Sequence, residues 1–563
     1  MAERPLFLRK ATGLVREIGL ATAVIIALAN VIGLGWQKRV FQVTGWAPVP
    51  RANFFLGIPP VTMSFFLVGI VVLLSVYCFA VLSAAMPRSG GGYVFISRIV
   101  SPGWAFIATW LEFFAVAVSY GLIAVAVMEA VFLFSRPAGV DISRFLTPGV
   151  MTIVGTLIVV LFSGIALAGV RQTGRLLHTI FWIPAGILVL LYLFFLTASP
   201  ASMEAGVVNL YGPSASAYTQ AAIDQGMTAT GYWSAVATAT IATYWAYIGY
   251  AAATFVAGEV KEASKSLPKA LFITGVVLVA LYVTISWLAD RAMGMAGQVG
   301  GWSLIQAVGF LNFGGGDFGD LAKIGGWMPM IGAIHVYGTF GAGLAKLFGW
   351  LIMLFGMLWV ANDIPPFILT TSRMVFAMAF DRVMPEAFGE IDERWHSPVN
   401  AIVFTAILAI IFGCTAEADL FSRGGIWLGS VVHAIINPGG GIVATDIWDA
   451  FFFLMVSVAL VLFPLRKPEI FERSPYRHSQ TVVITLGVLS ALANLVVLLV
   501  IVFGPHGWAL LDALRAPTLT GLAPFWFTVV LILVGLGIYY YYQNRARVTG
   551  VDLSSIFAEI PPE

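Results

Sequence analysis

Apolar runs long enough to cross a bilayer recur along almost the whole chain, and no other feature narrows the fold so far. A membrane-spanning helix needs about 20 predominantly apolar residues. Twelve such runs can be read, at about 17–36, 61–85, 104–134, 149–170, 177–198, 232–257, 270–289, 346–371, 399–414, 447–464, 480–504 and 523–543. Only 10% of residues are charged and 60% are hydrophobic, where a soluble domain carries about 25% charged residues. The pattern predicts an all-α integral membrane protein with twelve transmembrane spans, TM1 to TM12. A net charge of +2 is too small to imply a nucleic-acid partner. Cys78 and Cys414 lie far apart in sequence, so neither a disulfide framework nor a CxxC metal site is expected.

Charge sets the expected orientation, because short cytoplasmic loops concentrate Lys and Arg. Arg4, Arg9, Lys10 and Arg16 precede TM1 without a small-residue cleavage site, which predicts a retained helix and a cytoplasmic N-terminus. Threading twelve spans from there puts 20 of the 30 basic residues inside and 10 outside. The expected cytoplasmic segments are 88–103, 171–176, 258–269, 373–398, 465–479 and a C-terminal tail at 544–563, in a multi-pass protein of the cell membrane. Residues 1–543 read as one membrane domain with no soluble domain appended. The long outer connections, 199–231 and 290–345, are rich in Gly, Ser and aromatics. The second holds "FGGGDFGDLAKIGGW", but no Lys-Ser/Thr pair follows as a phosphate loop requires, so it is expected to form a packed extracellular cap. "PGGGI" at 438–442 reads as a loop before TM10.

Catalysis finds little to work with. The six histidines, His178, His335, His396, His433, His478 and His506, fall in separate segments without HExxH spacing, and no GxSxG elbow is present. No catalytic residue, cofactor or metal is expected. Transport is better supported. TM1 ends in "ALANVIGLGW" (27–36), an odd way to build a spanning helix, since glycine is the weakest helix former after proline. Unwound backbone at membrane depth is tolerated where it lines a protein-buried cavity, and transporters use such broken helices to bind substrate at the midplane. Amides of Ile32, Gly33, Leu34 and Gly35 would then face an anionic group, aided by the dipole of the following half-helix. TM6 supplies a second break, "TYWAYIGYAAATF", where Ile248-Gly249 echoes Ile32-Gly33 amid Tyr244, Trp245, Tyr247 and Tyr250. Close helix packing is the duller use for Gly33 and Gly35, but Gly-x-Gly with Asn30 beside it favours a site.

Three stretches carry a resemblance to the amino acid, polyamine and organocation (APC) transporter superfamily. They are "ANVIGLGWQ"; "AAMPRSGGGYVFISRIVSPGWAF"; and "EVKEASKSLPKAL", continued by "SRMVFAMAFDRVMPEAF" through "HSPVNAI". The resemblance implies alternating access by two inverted five-helix repeats, TM1–5 at about 17–198 and TM6–10 at about 232–464, with TM1 and TM6 unwound at mid-membrane and TM11–12 (480–543) peripheral. It implies that TM1 amides hold a substrate carboxylate and that carbonyls at both breaks hold its amine. Carried over, the substrate-binding set is Asn30, Ile32, Gly33, Leu34 and Gly35 with Trp245, Ala246, Tyr247, Ile248 and Gly249. Three positions depart from the family pattern: Leu34 stands where Ser is common, Ala251 where many relatives are acidic, and Pro184 near the place of a coupling lysine. Recognition of a cationic side chain and lysine-based proton coupling do not carry over.

Ionisable groups at membrane depth are functional candidates by default. Glu112 is expected to hydrogen-bond locally, Glu129 to be wetted near the outer surface, and Arg88 to pair with acids when an inner gate shuts. Asp363, in "LWVANDIPPFILTTSR", has two open readings: a cap for the helix restarting at Pro365 and Pro366, or a coupling group that takes up a proton or helps bind sodium with Thr370 or Thr371. The expected function is secondary transport of neutral amino acids, bulky apolar or aromatic ones favoured, with H+ or Na+ as the coupling ion. A polyamine or other organic amine substrate is the alternative within transport. A structural or sensing subunit of a membrane assembly is the alternative outside it.

Overall fold

The computed structural model describes residues 13–422, 428–436, 443–476, 478–504, 506–518, 521–551 and 553–558. Arg4, Arg9, Lys10, Arg423, Arg477, the 438–442 loop and part of the 544–563 tail lie outside the described residues.

Helices α1 (Leu20–Ala29) and α2 (Leu34–Trp46) follow one another with a gap at Asn30–Gly33, then come α3 (Pro60–Ala85), the short α4 (Gly92–Ile99), α5 (Pro102–Ala138), α6 (Pro148–Leu167) and α7 (Val170–Thr197). Next are α8 (Pro200–Tyr211), α9 (Ala215–Asp224), α10 (Tyr232–Tyr247), the four-residue α11 (Ala252–Phe255), α12 (Ala263–Met293), α13 (Leu304–Phe313) and α14 (Pro329–Thr339). The rest are α15 (Ala342–Ala361), α16 (Ile364–Phe380), α17 (Val399–Leu408), α18 (Thr415–Ala418), α19 (Leu428–Ile436), α20 (Val443–Arg466), α21 (Pro468–Arg473), α22 (Gln480–Phe503), α23 (Leu510–Arg515), α24 (Ala523–Val548) and α25 (Leu553–Ala558). Several long helices open on proline, at Pro60, Pro102 and Pro148, where the missing N–H costs no intrahelical bond and the fixed φ suits a helix start. Ser101 and Thr147 complete two of these starts, accepting from the amides of Trp104 and Val150.

Among the described residues, eleven helices are long and apolar enough to cross a membrane, not the twelve expected. The shortfall is the span expected at 232–257: Gly249 adopts φ +110° and splits it into α10 and α11, each too short to cross alone. The first span runs from Leu20 to Trp46 instead of stopping at 36. Its second half carries Gln37, Arg39 and Gln42, all buried, and their polarity hides the helix from a reading based on apolar runs. The long connections at 199–231 and 290–345 contain the helices α8, α9, α13 and α14, and they close over one end of the bundle, the cap end. Helix contact there is backbone-close: a Cβ at Gly45 of α2 would sit 2.2 Å from the carbonyl oxygen of Gly309 in α13, and one at Gly206 of α8 1.8 Å from that of Ile334 in α14. Helix α4 marks the opposite end.

Candidate binding site at two broken helices

The interruption in the first span is a local consequence of its sequence. Helix α1 stops at Ala29, Gly33 takes φ −120° and ψ −114°, and α2 restarts at Leu34. The start of a helix presents amides with no intrahelical partner, and here a carboxylate already faces one. The Leu34 N–H donates to Asp363 Oδ2 across 3.3 Å. A Cβ built at Gly33 would fall 1.6 Å from the same oxygen, so only glycine lets the Asp363 side chain in.

Asp363 therefore does not cap its own helix. It makes no side-chain bond to α16, its backbone is already helical at φ −66° and ψ −33°, and its other carboxylate oxygen has no partner among the described residues. The reason was in the sequence: an N-cap side chain bonds the amides two or three residues on, and those positions are Pro365 and Pro366, which have none. Of the threonines considered for sodium, Thr371 donates to the Phe367 carbonyl inside its helix, at 2.8 Å, and the Thr370 hydroxyl has no partner among the described residues.

The second break meets the first. Asn30 Nδ2 donates to the Gly249 carbonyl at 3.2 Å, and a Cβ at Gly249 would strike Asn30. Gly35 lies against Ala246, whose Cα would be 2.8 Å from an added Cβ. Ile32, Leu34 and Ala246 are buried, and Ile248 ends α10 with extended backbone. Trp245 carries the Arg39 guanidinium 4.1 Å above its ring. The structure thus brings together Asn30, Gly33, Leu34, Gly35, Trp245, Ala246 and Gly249. Tyr247 points elsewhere: its hydroxyl donates to the Phe65 carbonyl of α3 and its ring packs on Tyr282. Buried atoms without a hydrogen-bond partner among the described residues, Asn30 Oδ1, Gln37 Oε1 and both amide atoms of Asn362, lie on the same segments.

At the α4 end the sequence stretches quoted above close on one another. Gly90, Gly91 and Gly92 leave no room for side chains against Ala377, Thr254 and Phe452 respectively, which lets this loop lie directly on α16, α11 and α20. Arg373 of α16 binds Glu259 through two bonds of 2.9 and 3.1 Å, and Arg98 of α4 binds both carboxylate oxygens of Asp381. All four side chains are buried. Arg98 was not singled out from the sequence, yet with Arg373 it closes this junction on buried acids. Residues before α1 join in, with Ile18 N–H donating to the Glu259 carbonyl and Lys261 N–H to that of Ile18, each at 2.8 Å. Glu112, expected to bond locally, faces Asp449 of α20 instead, and Glu129 pairs with Lys38 at 3.4 Å.

A many-spanning bundle with two interrupted helices meeting at buried polar groups defines a membrane-embedded secondary-active transporter of small organic solutes. Residues 18–534 match the amino acid permease family, and the chain belongs to that family within the APC superfamily. Similar proteins include a branched-chain amino acid permease of Bacillus subtilis, 21% identical over 81% of this chain and 82% of its own. A serine/threonine exchanger of the same organism is 21% identical over 74% and 80%. A methylthioribose transporter, also from Bacillus subtilis, is 22% identical over 82% and 84%. Among the described residues no group of three His, Cys, Asp or Glu is placed to hold a metal ion.

Proposed function

We propose that the protein carries neutral amino acids, bulky apolar or aromatic ones favoured, across the cell membrane by alternating access. The moving parts are two inverted repeats, about 17–198 and 232–464, and both termini are cytoplasmic. The observation that carries this reading is the carboxylate of Asp363 at the start of α2. A helix N-terminus favours negative charge, and one that already seats the chain's own carboxylate can seat that of an amino acid once Asp363 swings aside. Freed from Leu34, Asp363 becomes the partner for the substrate's amine, together with the Gly249 carbonyl. Neutral substrates are supported by the branched-chain and serine/threonine relatives. An organic amine is the second reading, favoured by Asp363 itself, since a ligand without a carboxylate could use that acid as its only ionic partner.

Uptake of a labelled panel of amino acids and amines into proteoliposomes, with proton and sodium gradients applied separately, tests this. Expected is accumulation of a neutral amino acid such as leucine or phenylalanine under one of the gradients. Asp363→Asn is expected to weaken exchange and accumulation together, because the substrate's amine loses its ionic partner. Uptake confined to amines would replace the first reading with the second, and no uptake by the purified protein would replace both with a subunit role.

A further inference from the structure

A row of ionisable side chains runs beside the two breaks, and the binding reading uses none of them. It starts at the cap end with the ion pair Lys38–Glu129, whose side chains are 15% and 17% exposed. Glu417 lies within electrostatic reach of Lys38, Glu129 and Arg39. Arg39 faces Asp446, Asp446 faces Asp449, and Asp449 meets Glu112. Each of Arg39, Glu112, Glu417, Asp446 and Asp449 is buried. Five elements contribute: α2, α5, α18, α20, and α10 through Tyr244, which faces Glu112, Asp446 and Asp449, with Tyr250 beside it. Glu112 and Glu129 are seventeen residues apart on α5, about 25 Å at 1.5 Å per residue.

Charge does not balance along this row. Setting aside the paired Lys38 and Glu129, four carboxyls, Glu112, Glu417, Asp446 and Asp449, share one guanidinium, Arg39. At membrane depth uncompensated charge is expensive and neighbouring carboxylates repel strongly. Among the described residues several buried polar atoms of the row have no hydrogen-bond partner, including the Tyr244 hydroxyl, Arg39 Nε, Glu112 Oε2, Asp446 Oδ1 and Asp449 Oδ1. A metal ion does not fit, because no three of these acids converge on one point. The ligand that needs no cavity and can pass from one carboxyl to the next is a proton.

We propose that Glu112 and Asp449 form a proton-binding pair, loaded from the cap end through the carboxyls of Glu417 and Asp446, with the Arg39 guanidinium as a fixed positive charge between them. The pair signals its charge state to the site through Tyr244, which directly precedes Trp245 at the second break. One proton taken from the cap side is held between the two carboxyls and leaves when the bundle changes access, so no other reactant is needed. This deepens the transport reading and rests on it, since a proton gradient would be the driving force.

The test is infrared spectroscopy of the purified protein at neutral pH, in H2O and D2O, with no substrate present. The wild type should show a protonated-carboxyl C=O stretch that is lost in Glu112→Gln and in Asp449→Asn and shifted in Tyr244→Phe. In proteoliposomes Glu112→Gln should lose leucine accumulation driven by a proton gradient and retain leucine exchange. An unchanged carboxyl band in both carboxamide variants overturns the pair, as does wild-type proton-driven accumulation in Glu112→Gln. If the carboxamide variants fail to fold, Tyr244→Phe removes a single oxygen, and an unshifted band there overturns the proposal. The infrared result needs no substrate, so failure of leucine transport with the band present would count against the substrate reading alone.

Discussion

Gly33 shows at the scale of one residue why the site depends on what is missing. Its absent side chain is the space that the Asp363 carboxylate enters, and a Cβ there would overlap all three atoms of that carboxyl group within 2.1 Å. Gly33→Leu is expected to expel Asp363 from the start of α2 and fill the anion position, abolishing binding of an amino acid while leaving the bundle folded. Isothermal titration with the transported amino acid, alongside circular dichroism, checks this; a variant that binds with unchanged affinity would move the site away from the break. The sequence exposed Gly33 and Asp363 separately, each odd for its surroundings. Their contact joins residues 330 positions apart, and no spacing rule relates them.

Elements are held at the α4 end by paired charges that apolar packing alone would not position. Helix α16 is tied to the end of the broken second span by Arg373–Glu259 and to α4 by Arg98–Asp381, with both pairs buried. Such pairs contribute little relative to apolar substitutes but are costly to break singly, because the survivor remains buried and uncompensated. Glu259→Gln is therefore expected to destabilise the protein by about 3–5 kcal/mol. Adding Arg373→Met should recover part of that stability. Thermal unfolding in detergent measures both, and a double variant no more stable than the single one would assign the cost to lost packing. The motif containing Gly90–Gly92 was legible as a loop of special shape. That its glycines admit α11, α16 and α20 was not, since close approach is a property of the partners as much as of the loop.

For the whole molecule the orientation remains a prediction from charge. The segment after α11 should face the cytoplasm, so Ser264→Cys in a background lacking Cys78 and Cys414 is expected to resist an impermeant thiol reagent from outside intact cells and to react after permeabilisation. Labelling from outside would invert the topology and with it the assignment of the cap end. The native thiols are both buried, so uptake by the background lacking them is measured first.

The sequence by itself determined the membrane-spanning helical class, the approximate limits of most spans, the two interruptions and the family resemblance. These follow from local rules: hydrocarbon thickness fixes the length of an apolar run, and glycine weakens a helix wherever it stands. Tertiary structure decided which buried charges meet. Asp363 reaches α2 instead of its own helix, Arg98 closes on Asp381, and Glu112 faces Asp449 on another span. Buried ionisable groups are too costly to leave alone, so the sequence can announce that each needs a partner. Which partner it finds depends on how helices distant in the chain lie side by side, and that is set by the packing of the whole bundle.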